Sequence, residues 1–328
     1  MDTCKAYRIF NEDNKIAGKL VDVEGAEIGA GEVVFSTAYS SVNFKDALAG
    51  TGTGKIIRKF PLVGGIDAAG TVVASADRRF AAGDEVICTS YDMGVAHDGG
   101  YAGICRVPAD WVVPLPKGLT LFEAMALGTA GYTAALAVEL LELNGMQPSN
   151  GKVLVNGATG GVATLAIDML AGRGYAVTAV TGKDAEAGFL KKIGAAEVLS
   201  RTTLEMGTRP LEKSLWAAAF DSVGGEQLAW LTRTMQQNGV IASFGNAGGI
   251  ELKTTVLPFI LRGVRLIGID SAATPMPLRR KVWARLATEL KPRHLADIAH
   301  TIELKDLSDY FAKMLKGGIR GRAVVRIS

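Results

Sequence analysis

Lys152-Val153-Leu154-Val155-Asn156 is a short apolar run that ends in Gly157-Ala158-Thr159-Gly160-Gly161-Val162-Ala163, and an apolar stretch then continues to Leu170. Small residues at 157, 160 and 163 are what a strand-to-helix turn needs. One permits the sharp bend, one lets backbone amides approach a pyrophosphate, and one lets the helix pack close to the strand. Helix-start amides carry partial positive charge and hold such an anion. Gly157, Thr159, Gly160, Gly161 and Val162 are therefore the candidate phosphate contacts. A second apolar run, Tyr175 to Val180, ends at Thr181-Gly182-Lys183. A carboxylate about 20 residues beyond the glycines would bind the ribose 2′-hydroxyl of NAD. The chain has a hydroxyl and a cation there instead, which suit a 2′-phosphate. The residues point to NADPH, with Thr181, Gly182 and Lys183 at the adenosine end.

Composition narrows the class. The 328 residues are enough for two domains, and 48% apolar with 21% charged is ordinary for a globular chain. A net charge of +3 without a basic stripe argues against nucleic-acid binding. Three scattered cysteines, Cys4, Cys88 and Cys105, fit neither a disulfide framework nor a Cys-x-x-Cys zinc cluster. No apolar leader follows Met1, and the uncharged stretch Ala124–Val138 is too short to span a bilayer, so a cytoplasmic protein without a membrane partner is expected.

From Lys5 to about Pro116 the chain reads as β-rich, with short strands such as Glu32–Tyr39 and Gly70–Ala74. Leu121–Leu143 reads as helical, interrupted at Gly128-Thr129-Ala130-Gly131. Strands at 152–156, 175–180, 197–199, 216–220, 239–244 and 264–269 then alternate with helical crossovers. That pattern predicts a doubly wound, parallel Rossmann sheet. Residues 123–270 form the expected nucleotide-binding domain, and 1–122 with 271–328 the substrate domain. Arg279, Arg280, Lys281 and Arg285 sit on a predicted helix whose apolar positions are Leu278, Val282, Trp283, Leu286 and Leu290. They read either as a solvated face over a buried stripe or as a grip on an anionic substrate tail.

Several segments together carry a resemblance: Tyr39-Ser40-Ser41-Val42-Asn43-Phe44-Lys45-Asp46-Ala47-Leu48, Lys55-Ile56-Ile57-Arg58, Gly64-Gly65-Ile66-Asp67, Gly128-Thr129-Ala130-Gly131-Tyr132-Thr133-Ala134 and Pro258-Phe259-Ile260-Leu261-Arg262-Gly263. Over essentially its whole length the chain resembles the medium-chain dehydrogenase/reductase superfamily, in the zinc-independent, quinone-oxidoreductase-like branch that includes acryloyl-CoA reductases. The resemblance implies a GroES-like, partly open β-barrel as substrate domain, NADPH as cofactor, and a homodimer joined edge to edge. It further implies a place near the cofactor for Thr129, Phe244, Ile269, Arg201 and Arg322, with Arg201 beside Lys183 at the 2′-phosphate. Zinc-carrying members place Cys and Gly-His-Glu where this chain has Asn43 and Gly65-Ile66-Asp67, so no catalytic metal is expected. His97 lies in a segment where acryloyl-CoA reductases carry a tryptophan-containing stretch.

The implied catalytic residues are Asn43, Asp67 and Tyr39. Asn43 also has a simpler reading as the N-cap of a short helix from Phe44 to Ala49, Asp67 as a tie for backbone amides, and Tyr39 as packing. The expected reaction is NADPH-dependent reduction of an activated carbon–carbon double bond in an α,β-unsaturated acyl-CoA or enone. Hydride would go to the β-carbon, Asn43 would stabilise the enolate, Asp67 would orient Asn43 or a water, and Tyr39 or solvent would return the proton. Quinone reduction and a non-catalytic NADPH sensor are the alternatives.

Overall fold

A computed structural model describes residues 3–327. Within them the chain forms two compact units: residues 3–130, 272–287 and 295–327, and residues 131–271 with 288–294.

The first unit opens with β1 (Thr3–Glu12), β2 (Lys15–Glu24), β3 (Val33–Ser41), α1 (Phe44–Thr51), β4 (Leu62–Val63), β5 (Asp67–Ser75), β6 (Glu85–Thr89), β7 (Ile104–Val107) and β8 (Val112–Pro114). Helix α2 (Leu121–Leu143) then carries the chain into the second unit. There follow β9 (Val153–Val155), α3 (Gly161–Gly172), β10 (Val177–Thr181), α4 (Ala187–Lys192), β11 (Glu197–Ser200), β12 (Trp216–Asp221), α5 (Gly225–Thr234), β13 (Met235–Ser243), α6 (Leu257–Arg262) and β14 (Arg265–Gly268). The chain returns to the first unit through α7 (Met276–Leu286), and α8 (Leu295–Ile298), β15 (Ala299–Glu303), α9 (Leu307–Leu315) and β16 (Arg322–Arg326) complete it.

In the second unit six strands lie in the order β11-β10-β9-β12-β13-β14, and every pairing is parallel. All three residues of β9 are buried, as a central strand covered on both faces demands. The order reverses direction at β9, which is the switch point where such sheets bind ligands. This is the doubly wound sheet expected from the alternation of strands and crossovers.

The first unit is the GroES-like half. Strands β15-β16-β3-β5-β6-β8 form one path with β7 paired to β3, and β2-β1-β4 form a small antiparallel sheet. Its core joins Tyr7, Tyr101 and Phe311, packed edge-on or tilted, with Ile9, Val42 and Val325.

Three expectations need correction. Residues 123–130, assigned to the nucleotide-binding half, belong with the first unit, and 288–294 belong with the second. The physical reasons are local: Thr129 is bonded to Asp67, whereas the His294 amide donates to the buried Asp168 at 2.7 Å. The basic helix stops at Leu286, so Leu290, though buried, lies outside it. And the face around Arg279 is not wholly solvated: Arg279 is 0% exposed and donates to the Thr89 carbonyl and hydroxyl, both at 3.1 Å.

Helix α2 is longer than its uncharged stretch and passes the length and composition test for a membrane span, but 89% of its apolar window is buried within the protein. It is a core helix.

Candidate functional site

The predicted phosphate turn lies where β9 hands over to α3. Gly157 adopts φ +57°, a conformation that L side chains rarely take, and a Cβ there would fall 2.2 Å from Ser222 Oγ. Gly160 is the N-cap of α3, so the leading amides of Gly161 and Val162 have no acceptor within the helix. Beneath the turn, Asn156 is fully buried, donates to Asp221 at 2.6 Å and accepts from the Ser222 amide at 2.8 Å. Burial raises the Asp221 carboxyl above its usual range, against the opposing pull of the Asn156 bond. Sequence reasoning missed this brace, although a polar Asn closing an apolar strand was the available signal.

At the end of β10, Thr181 Oγ1 accepts from the Lys183 amide at 2.9 Å. A Cβ on Gly182 would lie 2.8 Å from Arg201 Nη2, so the Arg201 guanidinium rests directly against that glycine. The structure thus brings together Gly182 and Arg201, next in sequence to Lys183. Phe244 and Ile269 follow β13 and β14, donating from their amides to Asp221 and Ser243 carbonyls, both at 3.0 Å. All of these positions lie at the C-terminal ends of the parallel strands, the edge that binds ligands in such sheets. The glycine-walled turn and the open helix start fit a dinucleotide's pyrophosphate.

The other predicted residues belong to the first unit and converge on Asp67, at the start of β5. Asp67 is 0% exposed. Its Oδ2 accepts from Ser41 Oγ at 2.5 Å, Asn43 Nδ2 at 2.7 Å and the Thr129 amide at 2.9 Å, while Oδ1 accepts from Thr129 Oγ1 at 2.5 Å. Arg322 Nη2 stands 3.9 Å from Oδ2. A buried carboxylate costs several kcal/mol unless hydrogen bonds and charge offset the burial, and here three donors on Oδ2, one on Oδ1 and a nearby cation do so. The Thr129 amide can reach Asp67 because Gly128 breaks α2 with φ 51° and ψ −155°.

Asn43 is the N-cap residue of α1, yet its side chain faces the cluster. Nδ2 donates to Asp67, and Oδ1 accepts from Arg322 Nη1 at 3.1 Å. The cap is closed by Asp46, three residues on, whose Oδ2 accepts from the Asn43 amide at 2.8 Å and whose Oδ1 accepts from Ile66 at 2.9 Å. Burial first, and the nearby Asp67 charge second, push the Asp46 carboxyl up to about 7. The capping-box spacing of Asn43 and Asp46 was a signal for this residue that sequence reasoning left unused.

Arg322 is enclosed by protein groups. It donates to the carbonyls of Val42 at 2.7 Å and Ala126 at 3.2 Å, and to Ser41 Oγ at 2.8 Å. Burial lowers its pKa, opposed by Asp67. Thr129 likewise spends its hydroxyl on Asp67, with Ser90 Oγ at 2.9 Å beyond. Tyr39 does not join the cluster by any hydrogen bond among the described residues; its ring packs edge-on against Phe122 at 5.7 Å. No group of three or more His, Cys, Asp or Glu with metal-holding geometry occurs among the described residues.

Comparison with known proteins agrees with this architecture. The alcohol dehydrogenase GroES-like domain model matches residues 29–117, and the zinc-binding dehydrogenase model matches 161–288. The chain is 50% identical over 297 residues to a putative quinone oxidoreductase, YhfP, of Bacillus subtilis, covering 90% of each. A crystal structure of yhfP with NAD bound superposes with TM-score 0.97, covering 99% of this chain and 100% of that one. Acrylyl-CoA reductase AcuI of Ruegeria pomeroyi is 43% identical over 318 residues, 97% of this chain and 96% of the relative. The yhdH oxidoreductase of Salmonella enterica, solved in complex with NADP, is 45% identical with TM-score 0.96, covering 99% and 100%. With these likenesses running through both units, the chain belongs to the medium-chain dehydrogenase/reductase superfamily, in the branch of quinone-oxidoreductase-like proteins and acrylyl-CoA reductases.

Proposed function

We propose that the chain is an NADPH-dependent oxidoreductase that reduces the activated double bond of an α,β-unsaturated acyl thioester or enone. The observation that carries this reading is the fixed orientation of the Asn43 amide. Arg322 donates to its oxygen and Asp67 accepts from its nitrogen, with the Asp46 carboxyl also beside the amide. As the β-carbon is reduced, negative charge grows on the carbonyl oxygen. A preorganised donor in a buried setting is what that enolate needs, and removing such a donor from an enzyme costs about 2.7–4 kcal/mol of transition-state stabilisation. NADPH, when bound, supplies the hydride. Asn43 binds the carbonyl, Asp67 and Arg322 hold Asn43 in register, and the remaining proton reaches the α-carbon from Tyr39 or solvent.

The preference for NADPH rests on Lys183 and Arg201, and on the NADP bound to the Salmonella relative. The Bacillus relative was solved with NAD, so the two dinucleotides should be compared directly. Quinone reduction is the second reading, favoured by the name given to that 50% identical relative. Steady-state assays with acryloyl-CoA, a free enone and a simple quinone, each with NADPH and NADH, test both. A preference of about a hundredfold, some 2.7 kcal/mol at about 1.4 per decade, decides between acceptors. Faster quinone turnover by that margin would overturn the thioester reading.

We further propose a homodimer formed through β14, the last strand of its sheet, with Val256, Ile260 and Leu261 of the α6 region, which are 66%, 68% and 56% exposed. Sedimentation as a monomer would refute it. Unpaired Cys4, Cys88 and Cys105 fit a reducing, cytoplasmic setting.

A further inference from the structure

Resting on the acyl-thioester reading, we propose that a cleft in the first unit holds the phosphorylated nucleoside at the far end of the thioester's carrier. The cleft measures about 640 Å³, and its walls include Arg79, Tyr91, Trp111, Thr274, Met276 and Arg280. Clefts of roughly 300–1,000 Å³ are the size that enclose small ligands.

The cleft adjoins the Asp67 cluster. Thr129, bonded to Asp67, also meets Ser90 Oγ at 2.9 Å, and the next residue, Tyr91, is already cleft wall. Ser90 and Tyr91 adopt φ +65° and +51°, which non-glycine residues seldom do. Such backbone persists only where its surroundings over-determine it. Here the Ser90 amide donates to the Ile66 carbonyl at 2.7 Å and the Tyr91 amide to Ala272 at 3.2 Å. The buried Arg279 guanidinium lies 4.3 Å from the Tyr91 ring centroid, and Tyr91 stacks on Trp111 at 5.4 Å with 6° between planes. The result is a rigid aromatic wall beside the reaction site.

Charge selects the occupant. Arg79 is spent on Asp77 at 2.8 Å and Asp110 at 2.7 Å, a trio with one net negative charge of which Asp110 also lines the cleft. Arg280 is exposed and makes no ion pair among the described residues. Beside it stands the first turn of α7, whose leading N–H groups carry the partial positive charge of the helix. A quinone would use the aromatic wall and leave this positive charge idle. A nucleoside phosphate uses both, with the base against Trp111 and Met276 and the phosphates toward Arg280.

The test uses 3′,5′-ADP as probe, with the dinucleotide site saturated by NADP. Calorimetric titration of the wild type should reveal binding that weakens as salt is raised. Arg280→Glu should weaken it by tenfold or more, and Arg280→Lys should retain most of it. In turnover, Arg280→Glu should raise KM for an enoyl-CoA by a similar factor while leaving the enoyl thioester of N-acetylcysteamine, which lacks the nucleoside, unchanged. No wild-type binding, or equal binding by Arg280→Glu, overturns the proposal. Binding of the probe without turnover of either thioester would instead sink the functional reading and leave the cleft assignment standing.

Discussion

Arg322 Nη1 donates to Asn43 Oδ1 at 3.1 Å, and this bond decides which way round the Asn43 amide lies. With its oxygen committed to a cation and one N–H committed to Asp67, the amide cannot flip without facing donor to donor and acceptor to acceptor. Asn43→Ala is expected to lower kcat by tenfold or more with the NADPH dissociation constant unchanged. A kcat within twofold of wild type would remove Asn43 from the chemistry.

Arg322 also balances Asp67 in a region where both side chains are at most 2% exposed. Removing one partner from a buried pair costs about 3–5 kcal/mol, because the other charge stays buried. Arg322→Met should lower unfolding stability by that order in denaturant titrations. A shift in midpoint worth less than about 1 kcal/mol would mean that the hydrogen bonds of Ser41, Asn43 and Thr129 alone suffice for Asp67.

Lys183, after β10, and Arg201, after β11, are the proposed grip on the 2′-phosphate. Charge-assisted hydrogen bonds contribute about 1.5–3 kcal/mol, so Arg201→Ala or Lys183→Ala should weaken NADPH about tenfold to a hundredfold and leave NADH nearly untouched. Fluorescence titration of both dinucleotides is the measurement. Equal losses for the two would dissociate these residues from the 2′-phosphate.

Asp46 gives stability a pH dependence of defined sign. Its carboxyl is raised to about 7 in the folded protein, from an ordinary value near 3.8. Between those values the folded state keeps a proton that the unfolded state has lost, so stability should fall as pH rises from about 4 to about 7 and level off above. Asp46→Asn abolishes this component. Denaturant midpoints at pH 5 and pH 8 should therefore differ less in the variant than in the wild type. Identical pH dependence in both proteins would contradict the assignment.

Gly128 admits no side chain. A Cβ there would stand 2.5 Å from Asp67 Oδ2 and 2.6 Å from Ser41 Oγ, on a backbone with φ +51°. Gly128→Ala should cost more than 1 kcal/mol in stability and most of the activity, since the Thr129 amide would be pushed off Asp67. An active, equally stable variant would show that the break in α2 is dispensable.

Much of the parallel-sheet unit was legible because apolar strands, glycine turns and crossovers are local patterns. The runs at 152–156, 175–180 and 216–220 became Val153–Val155, Val177–Thr181 and Trp216–Asp221, and Gly157 does take the bend its position implied. The site in the other unit was only half legible. Asn43 and Asp67 could be named from their motifs, but Arg322 lies far along the chain and meets them only through the pairing of β16 with β3. Arg279 deceived for the opposite reason. Its spacing on the helix grouped it with Arg280 and Lys281, and nothing in that run announces that this guanidinium turns inward to Thr89 and Tyr91.

The hydrogen bonds made by Asp67 bear on where protons travel. Ser41, Asn43 and the Thr129 amide engage its Oδ2 and the Thr129 hydroxyl its Oδ1, so this carboxylate is occupied in holding its neighbours. On the proposed reaction the hydrogen delivered to the α-carbon comes from Tyr39 or bulk water, both of which exchange with solvent. Products formed in heavy water should bear deuterium at that carbon, whichever of the two hands it over.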